Sequence, residues 1–519
     1  MDFAPSSSTT VLRRRLLIGL GLLLLAALLT RIAWTEQTLS DGSNTILEGC
    51  DFAHGNVLLH GWILSDVSFY ALEVPVAALS VLAVGASAAA VHLTAGLVFT
   101  LVIAYALWCD REGPVSRRVF VLAILLVPLS DAVARRALIA GVDHLGSSVF
   151  ILLAALIVDR LRGRWYAPWL LLMVLTLGGI SDGFVTYVGV PAVIGVCCWS
   201  IVVERRSRWD LLRLAAAAVV SVPAAGHVRS VLRHLGAYAM TAPDTVVSPR
   251  SEWAAHARST WFGLRVLLGF AQPSGGLAGV CTLVLGWTLL GLIILGGIRT
   301  LWHGRTSHTA QRISILLVPG ALVAYTLSEQ SAKAGNAFDL AGAMPFCALL
   351  AANAIPDVDL ADPDRWSVRR GLRRTAIGTI GGVTALAVLF AAAQPTAAAD
   401  SSGLIAKLRA LRLSYGISDY QVASSTTVES DQRVNVRAVV WNGDGFDVYG
   451  WETRTPWYSA AKHDASFFVT SASDGGTTPA DVVSAFGRPE AEYRVGEYEV
   501  LVYRYNLLTR VTPSARPTG

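Results

Sequence analysis

Long apolar stretches recur along the chain up to about residue 393, and they constrain the fold more than any other feature. A helix needs about 20 mainly apolar residues to cross a hydrocarbon core of about 30 Å. About eleven stretches are candidate spans by this measure. They lie near residues 16–33, 88–108, 119–129, 149–158, 165–179, 184–203, 214–225, 277–297, 313–327, 340–354 and 376–393. We therefore predict a mainly α fold, a polytopic membrane helical bundle.

The composition agrees with a membrane-embedded chain. Of the 519 residues 53% are hydrophobic and 15% are charged, whereas soluble domains carry about 25% charged residues. Arg13, Arg14 and Arg15 before the first stretch are also typical of a secretory signal. No small-residue cleavage pattern follows Thr30, so we expect this stretch to remain as the first helix.

The arginines orient the predicted spans, because short cytoplasmic loops retain basic residues during insertion. Basic groups occur in alternate loops, near residues 13–15, 117–118, 160–164, 205–208, 299–305 and 365–374. This pattern predicts a cytoplasmic N-terminus, and an odd number of spans predicts an extracytoplasmic C-terminus. It also accounts for the formal charge of +5, so no nucleic-acid partner is predicted. Frequent Arg, Ala and Gly with only three Lys suggest a bacterial cell (inner) membrane.

Composition changes after about residue 394, where polar and aromatic residues replace the apolar stretches. Residues 435–441 alternate like a strand, as do shorter runs at 466–470 and 499–505. We predict a transmembrane domain over 1–393, with a long first loop at 35–85, and an extracytoplasmic α/β domain over 394–519. A helix near 404–413 is expected to lead into this second domain.

The first loop, residues 35–85, is predicted to lie outside and carries the leading candidate catalytic acids. These are Asp66, Asp51 and Glu73. A carboxylate at the membrane surface can take a proton from an acceptor hydroxyl. Asp66 has an alternative role as the N-cap of a helix beginning at residues 65–68, and Asp51 lies in a turn-rich stretch where an acid is commonly just solvated.

Further polar residues border predicted spans on the same side. Acids in such places are costly and are candidates for function, although each can also serve as a helix cap. These polar residues are Asp143, His144, Asp182 and Asp339. Six basic residues lie outside against the charge rule, at Arg135, Arg136, Arg229, Arg233, Arg265 and Lys333. They are candidates for binding a phosphate group, with phospholipid headgroups as the alternative partner.

Several motifs together resemble the GT-C superfamily of integral membrane glycosyltransferases, in its actinobacterial, polyprenyl-phosphate-sugar-dependent type. The motifs lie at residues 55–62, 65–70, 73–75, 143–148, 181–183, 189–191, 338–341 and 344–346. The tail resembles the exported C-terminal part of the same proteins at residues 415–416, 419–420, 486–489 and 503–508. The resemblance covers most of the chain, each motif being of modest specificity.

The resemblance implies transfer of a sugar from a polyprenyl-phosphate-linked donor to a cell-envelope glycan, lipid or protein on the outer face. It also implies that a first-loop acid is the base, with Asp66 matching best. The superfamily often has two adjacent acids in this loop, and this chain has none, which leaves an inactive scaffold protein as an alternative. A transporter or flippase for lipid-linked precursors is another alternative. The sequence does not decide whether a divalent cation takes part, and it predicts no other cofactor.

Overall fold

The fold is described from a computed structural model that covers residues 7–140, 144–203, 208–241, 247–272, 276–303, 308–332, 336–354, 368–397, 401–472 and 476–513. The chain is mainly helical, with a β-rich C-terminal region, residues 401–513. The first eight helices are α1 Ser7–Ala33, α2 Ser40–Ala53, α3 Glu73–Val84, α4 Ala88–Cys109, α5 Val115–Leu126, α6 Ala132–Ile139, α7 Ser147–Arg160 and α8 Ala167–Ser181. The next seven are α9 Val190–Val202, α10 Arg208–His234, α11 Trp253–Leu267, α12 Gly276–Trp302, α13 Thr309–Leu327, α14 Met344–Asn353 and α15 Val368–Ala393.

Within the described residues, six helices are long and apolar enough to cross a membrane. They are Val11–Ala33, Ala88–Cys109, Val185–Val202, Arg208–His234, Gly279–Trp302 and Thr309–Leu327. Shorter apolar helices occur at Glu73–Val84, Ala167–Ser181, Phe338–Asn353 and Ile377–Ala393. The eleven predicted stretches all fall largely within helices, but four of those helices, α5, α7, α8 and α14, have only 10–15 residues and are shorter than a full span. The stretch at 214–225 contains Pro223 and still belongs to one continuous helix, α10.

The outer faces of the bundle fit a hydrocarbon environment. On α1, Leu23 and Leu24 are 70% and 63% exposed, which in water would form a costly apolar surface. Exposed tryptophans lie at helix ends beside the arginine-rich loops, at Trp108, Trp165, Trp169, Trp209 and Trp302. Tryptophan is enriched where a membrane meets water. Together with the six helices, these features indicate a membrane protein.

The middle of the first loop enters a small three-stranded sheet. Strand β1, Trp62–Leu64, pairs parallel to β2, Ala239–Met240. On its other side β1 pairs antiparallel to β6, Thr453–Arg454. Three distant parts of the chain therefore meet at the residues that directly precede Asp66.

The C-terminal region forms a seven-stranded mixed sheet with the order β10-β5-β4-β3-β7-β9-β8. Its strands are β3 Tyr415–Ser418, β4 Asn435–Trp441, β5 Phe446–Val448, β7 Phe467–Ser471, β8 Ala491–Val495, β9 Tyr498–Val502 and β10 Val511–Thr512. The helices are α16 Ser402–Ala410, α17 Tyr420–Glu429 and α18 Pro479–Phe486. Strand β3 lies parallel to both β4 and β7, and α17 connects β3 to β4, as parallel pairing requires. Phe446, Phe468 and Phe486 pack together in the core.

Helix α17 anchors the C-terminal region to α2 in the first loop. The hydroxyl of Ser40 donates to the carbonyl oxygen of Gln421 at 2.9 Å. Ser424 Oγ donates to Asn44 Oδ1 at 2.6 Å. The two parts of the chain therefore form a continuous structure beside the bundle.

Candidate functional site

A histidine held between two carboxylates forms the centre of the candidate site. His144 Nδ1 lies 2.7 Å from Asp182 Oδ2, and His144 Nε2 lies 3.4 Å from Asp339 Oδ1. Asp182 Oδ2 also accepts a hydrogen bond from Ser147 Oγ at 2.5 Å. The Asp182 side chain is 1% exposed, whereas those of His144 and Asp339 are 19% and 16% exposed. The site thus has one buried carboxylate, Asp182, and two partly accessible side chains, His144 and Asp339.

Helix ends bring these side chains together. Helix α8 ends at Ser181 because Asp182 has extended backbone dihedrals, and its Oδ1 accepts from the amide of Phe184 at 2.7 Å. Ser147 is the first residue of α7. Asp339 lies in a 3-10 segment, Asn336–Ala343, that leads into α14. The convergence of three interrupted helices explains why polar groups can lie so close to an apolar bundle.

A glycine permits the close approach of the third helix end. A Cβ atom at Gly342 would lie 3.0 Å from the His144 carbonyl oxygen and 3.0 Å from the Phe184 ring. Both contacts are tighter than ordinary van der Waals packing. Gly342 therefore allows the segment with Asp339 to reach His144.

The charges of this group stabilise one another. Burial by itself lowers the pKa of His144, but Asp182 and Asp339 outweigh it and hold that pKa well above its usual range. Burial by itself raises the pKa of Asp182. His144 and the hydrogen bonds from Ser147 and Phe184 outweigh burial, so the pKa of Asp182 lies below its usual value. The pair is therefore an imidazolium and a carboxylate at neutral pH.

The first loop adds Asp66 to this group. The amides of Ser68 and Phe69 both donate to the carbonyl oxygen of Ser181, at 3.0 and 3.1 Å. The Phe69 ring lies 5.9 Å from the His144 ring. Asp66 is half-buried, and burial raises its pKa, with His144 lowering it and Asp182 and Asp339 raising it. The structure thus brings together Asp66, His144, Asp182 and Asp339, here called the acid–histidine cluster.

The alternative role of Asp66 as a helix cap is wrong. Residues 65–72 are irregular and the next helix, α3, begins at Glu73. Ser65 Oγ instead accepts from the amide of Val67 at 3.3 Å. Phe69 has a positive φ of 48°, which is outside the right-handed helical region, so the chain does not continue as a helix from residue 65.

The other two first-loop acids lie outside the acid–histidine cluster. Asp51 Oδ2 accepts from Trp62 Nε1 at 2.8 Å and lies 3.0 Å from Arg454 Nε. Asp51 therefore joins the first loop to the C-terminal region. Glu73 is fully buried in the first turn of α3, beside Gly146.

The predicted phosphate-binding residues have different surroundings. Arg135 is buried, and its Nε lies 2.5 Å from Glu36 Oε1. Arg265 donates to the carbonyl oxygen of Ala271 at 2.9 Å at the end of α11. Arg136 is exposed. Asp143 and Lys333 lie outside the described residues.

Metal ligation has no ready site in the part of the chain that the structure describes. No group of three or more His, Cys, Asp or Glu side chains there is arranged to hold a metal ion. In the acid–histidine cluster both ring nitrogens of His144 face carboxylates, so neither ring nitrogen is directed at an open position. His144 therefore does not fit as a ligand of a divalent cation, and its protonated imidazole supplies a local positive charge.

Two contributions were not assigned from the sequence. Ser147 has no individual role in the sequence-based prediction, although a hydroxyl three residues after His144 and at a helix start is a recognisable signal. A second buried acid group, centred on Tyr420 and Glu452, has partners on α2 that no local pattern reveals. No protein-family model matches the chain, and no curated protein matches it significantly.

Proposed function

We propose that this protein is a membrane glycosyltransferase that moves a sugar from a polyprenyl-phosphate-linked donor to a cell-envelope acceptor. The proposal combines the GT-C resemblance with one observation, the position of Asp66. This acid is half-buried beside an imidazolium, at helix ends that border the apolar bundle. We place the site on the outer face of a bacterial cell membrane, with the N-terminus in the cytoplasm.

In the proposed reaction Asp66 is the base. Its carboxylate takes the proton of the acceptor hydroxyl, and the hydroxyl oxygen bonds to the anomeric carbon of the donor sugar. The bond between that carbon and the phosphate oxygen breaks, and polyprenyl phosphate leaves with the electron pair. Burial raises the pKa of Asp66, which makes it a stronger base than an exposed carboxylate.

His144 contributes charge rather than a proton in this scheme. Its imidazolium is held in place by Asp182 and Asp339, so it offers a fixed positive charge beside the reacting groups. The amides of Ser68 and Phe69 fix the loop that carries Asp66. Such fixed geometry contributes to catalysis because little reorganisation is needed during the reaction.

The test compares wild type with Asp66→Asn in lipid nanodiscs, using labelled sugars on a panel of polyprenyl-phosphate donors and isolated envelope acceptors. Loss of a general base typically costs about 10²–10⁴-fold, so we expect at least about a hundredfold slower transfer. Asp444→Asn is the matched control, because Asp444 is an exposed carboxylate outside the acid–histidine cluster. Full activity of folded Asp66→Asn contradicts the proposal.

A transporter or flippase is a second candidate, favoured by the interrupted helices. A π-helical segment, Val185–Gly189, precedes α9, and the 3-10 segment Asn336–Ala343 precedes α14. Broken helices around polar residues are typical of transport sites. Movement of a fluorescent lipid-linked sugar across proteoliposomes, without sugar transfer by wild type, supports this reading. Absence of both activities favours the inactive scaffold.

A further inference from the structure

A buried group of polar side chains joins α2 to the C-terminal region. The hydroxyl of Tyr420 lies 2.6 Å from Glu452 Oε2 and also contacts Asp41 Oδ1. Asn44 Nδ2 donates to the same Glu452 oxygen at 3.2 Å. Both Asn44 and Glu452 are buried. The group thus joins Asp41 and Asn44 of α2 directly to Tyr420 and Glu452 of the C-terminal region. This contact between α2 and the C-terminal region is here called the junction.

Counting hydrogen atoms shows that this arrangement needs an additional proton. A phenol hydroxyl carries one hydrogen, and an ionised carboxylate carries none. Tyr420 can therefore donate to Asp41 or to Glu452, but not to both. The other contact is a hydrogen bond only if that carboxyl group is protonated and donates to the phenol oxygen.

The neighbouring titratable groups are mostly acids, and the basic Arg454, two residues after Glu452, is paired with Asp51 at 3.0 Å. The neighbouring titratable groups are Glu48 and Asp51 on α2, Glu429 on α17, Tyr449 before Glu452, and Asp339 of the acid–histidine cluster. Within the described ranges, no Arg, Lys or His forms an ion pair with Asp41, Glu48 or Glu452. Burial raises the pKa of Glu452, and Asp41 and Glu48 raise it further. Burial likewise raises the pKa of Asp41, and Asp339 adds to the effect.

We propose that a proton shared among Asp41, Tyr420 and Glu452 holds the C-terminal region against α2, and that this contact loosens as the pH rises. The three side chains then form a pH-sensitive fastening between the first loop and the C-terminal region. This inference does not depend on the proposed sugar transfer, because it concerns the contact alone.

The direction follows from the two carboxyl groups. Their folded-state pKa values lie above the ordinary values of 3.8 and 4.5. A raised carboxyl pKa stabilises the structure at low pH, and this stabilisation is lost as the pH rises through the folded pKa. Release of one proton weakens the contact by up to about tenfold for each pH unit above that pKa.

The experiment measures hydrogen–deuterium exchange of the full chain in lipid nanodiscs between pH 5 and pH 9. Labelling times are scaled to the intrinsic exchange rate at each pH, so that only opening is compared. Peptides that cover residues 40–53 and 420–429 report on the two sides of the junction. In wild type we expect their protection to fall as the pH rises, by up to about tenfold per pH unit.

Neutral amides identify the groups responsible. In Glu452→Gln the amide can donate to the phenol oxygen while Tyr420 donates to ionised Asp41, so we expect protection that no longer changes with pH. If Glu452→Gln fails to fold, Asp41→Asn tests the same point. Its amide can donate to the phenol oxygen while Tyr420 donates to ionised Glu452, so the same loss of pH dependence is expected. Asp444→Asn, at an exposed carboxyl of the same region, must retain the wild-type pH dependence. A flat wild-type profile, or an unchanged slope in folded Glu452→Gln or Asp41→Asn, overturns the proposal.

Discussion

Asp182→Asn is expected to destabilise the protein, because it removes the charge that holds His144. The substitution preserves shape, and the side-chain oxygen of Asn can still accept from the Phe184 amide. Its NH2 group then replaces the oxygen that accepts from Ser147 and contacts His144, so it can donate to Ser147 Oγ but no longer accepts there. The loss is the charge-assisted contact at 2.7 Å to a side chain that is 19% exposed. Breaking a buried ion pair costs about 3–5 kcal/mol, and Asp339 remains as a partner. We therefore expect about 2–3 kcal/mol.

The pH dependence of this effect has two limits. The pKa of His144 is raised from 6.5, so its stabilisation is complete below 6.5 and is lost as the pH rises through the folded pKa. The pKa of Asp182 is lowered from 3.8, so its stabilisation is complete above 3.8 and is lost at lower pH. The difference between wild type and variant should be largest between these two values.

Equilibrium unfolding in mixed micelles at several pH values measures the effect. Glu112→Gln serves as the control, because its carboxylate is 62% exposed and lies 3.7 Å from Arg111. Such surface pairs contribute about 0–1 kcal/mol. Equal stability of Asp182→Asn and wild type at pH 6, or a difference that does not narrow in alkali, refutes the reasoning about the buried pair.

Three further substitutions test the packing around the site and in the C-terminal region. Gly146→Ala places a methyl group against Glu73 Oε1 and should cost about 1–3 kcal/mol; an unchanged unfolding midpoint contradicts the close contact. Phe468→Ala removes a fully buried ring and should cost about 3–5 kcal/mol, measured by loss of near-ultraviolet circular dichroism on unfolding. Arg454→Gln leaves Asp51 without its ion partner, so amide exchange across residues 453–455 should accelerate; unchanged exchange would show that β6 does not need the pair.

Much of the helical architecture could be predicted because its cause is local. Apolar stretches form helices wherever the backbone leaves water, and all eleven predicted stretches are largely helical. Their lengths were harder to predict, since 119–129 and 149–158 have span-like composition but belong to helices of 12 and 14 residues. Length depends on where neighbouring segments interrupt the helix, which composition does not encode.

The site was partly predictable for a related reason. His144, Asp182 and Asp339 stood out because polar groups beside apolar helices are costly, and the structure places them together with Asp66. The structural role of Asp51 could not be predicted from the sequence, because its partner Arg454 is 403 residues away. The sequence also could not show that Ser181 holds the loop near Asp66, since that contact depends on tertiary packing.

The small sheet at β1 has a consequence for how the protein is made. Strand β1 is completed on one edge by Thr453 and Arg454, so this edge stays unpaired until the ribosome has polymerised most of the 519 residues. The segment before Asp66 therefore reaches its final pairing only after residue 454 has been added. A nascent chain that stops before residue 453 carries the helices of the bundle but lacks the strand that completes this edge of β1.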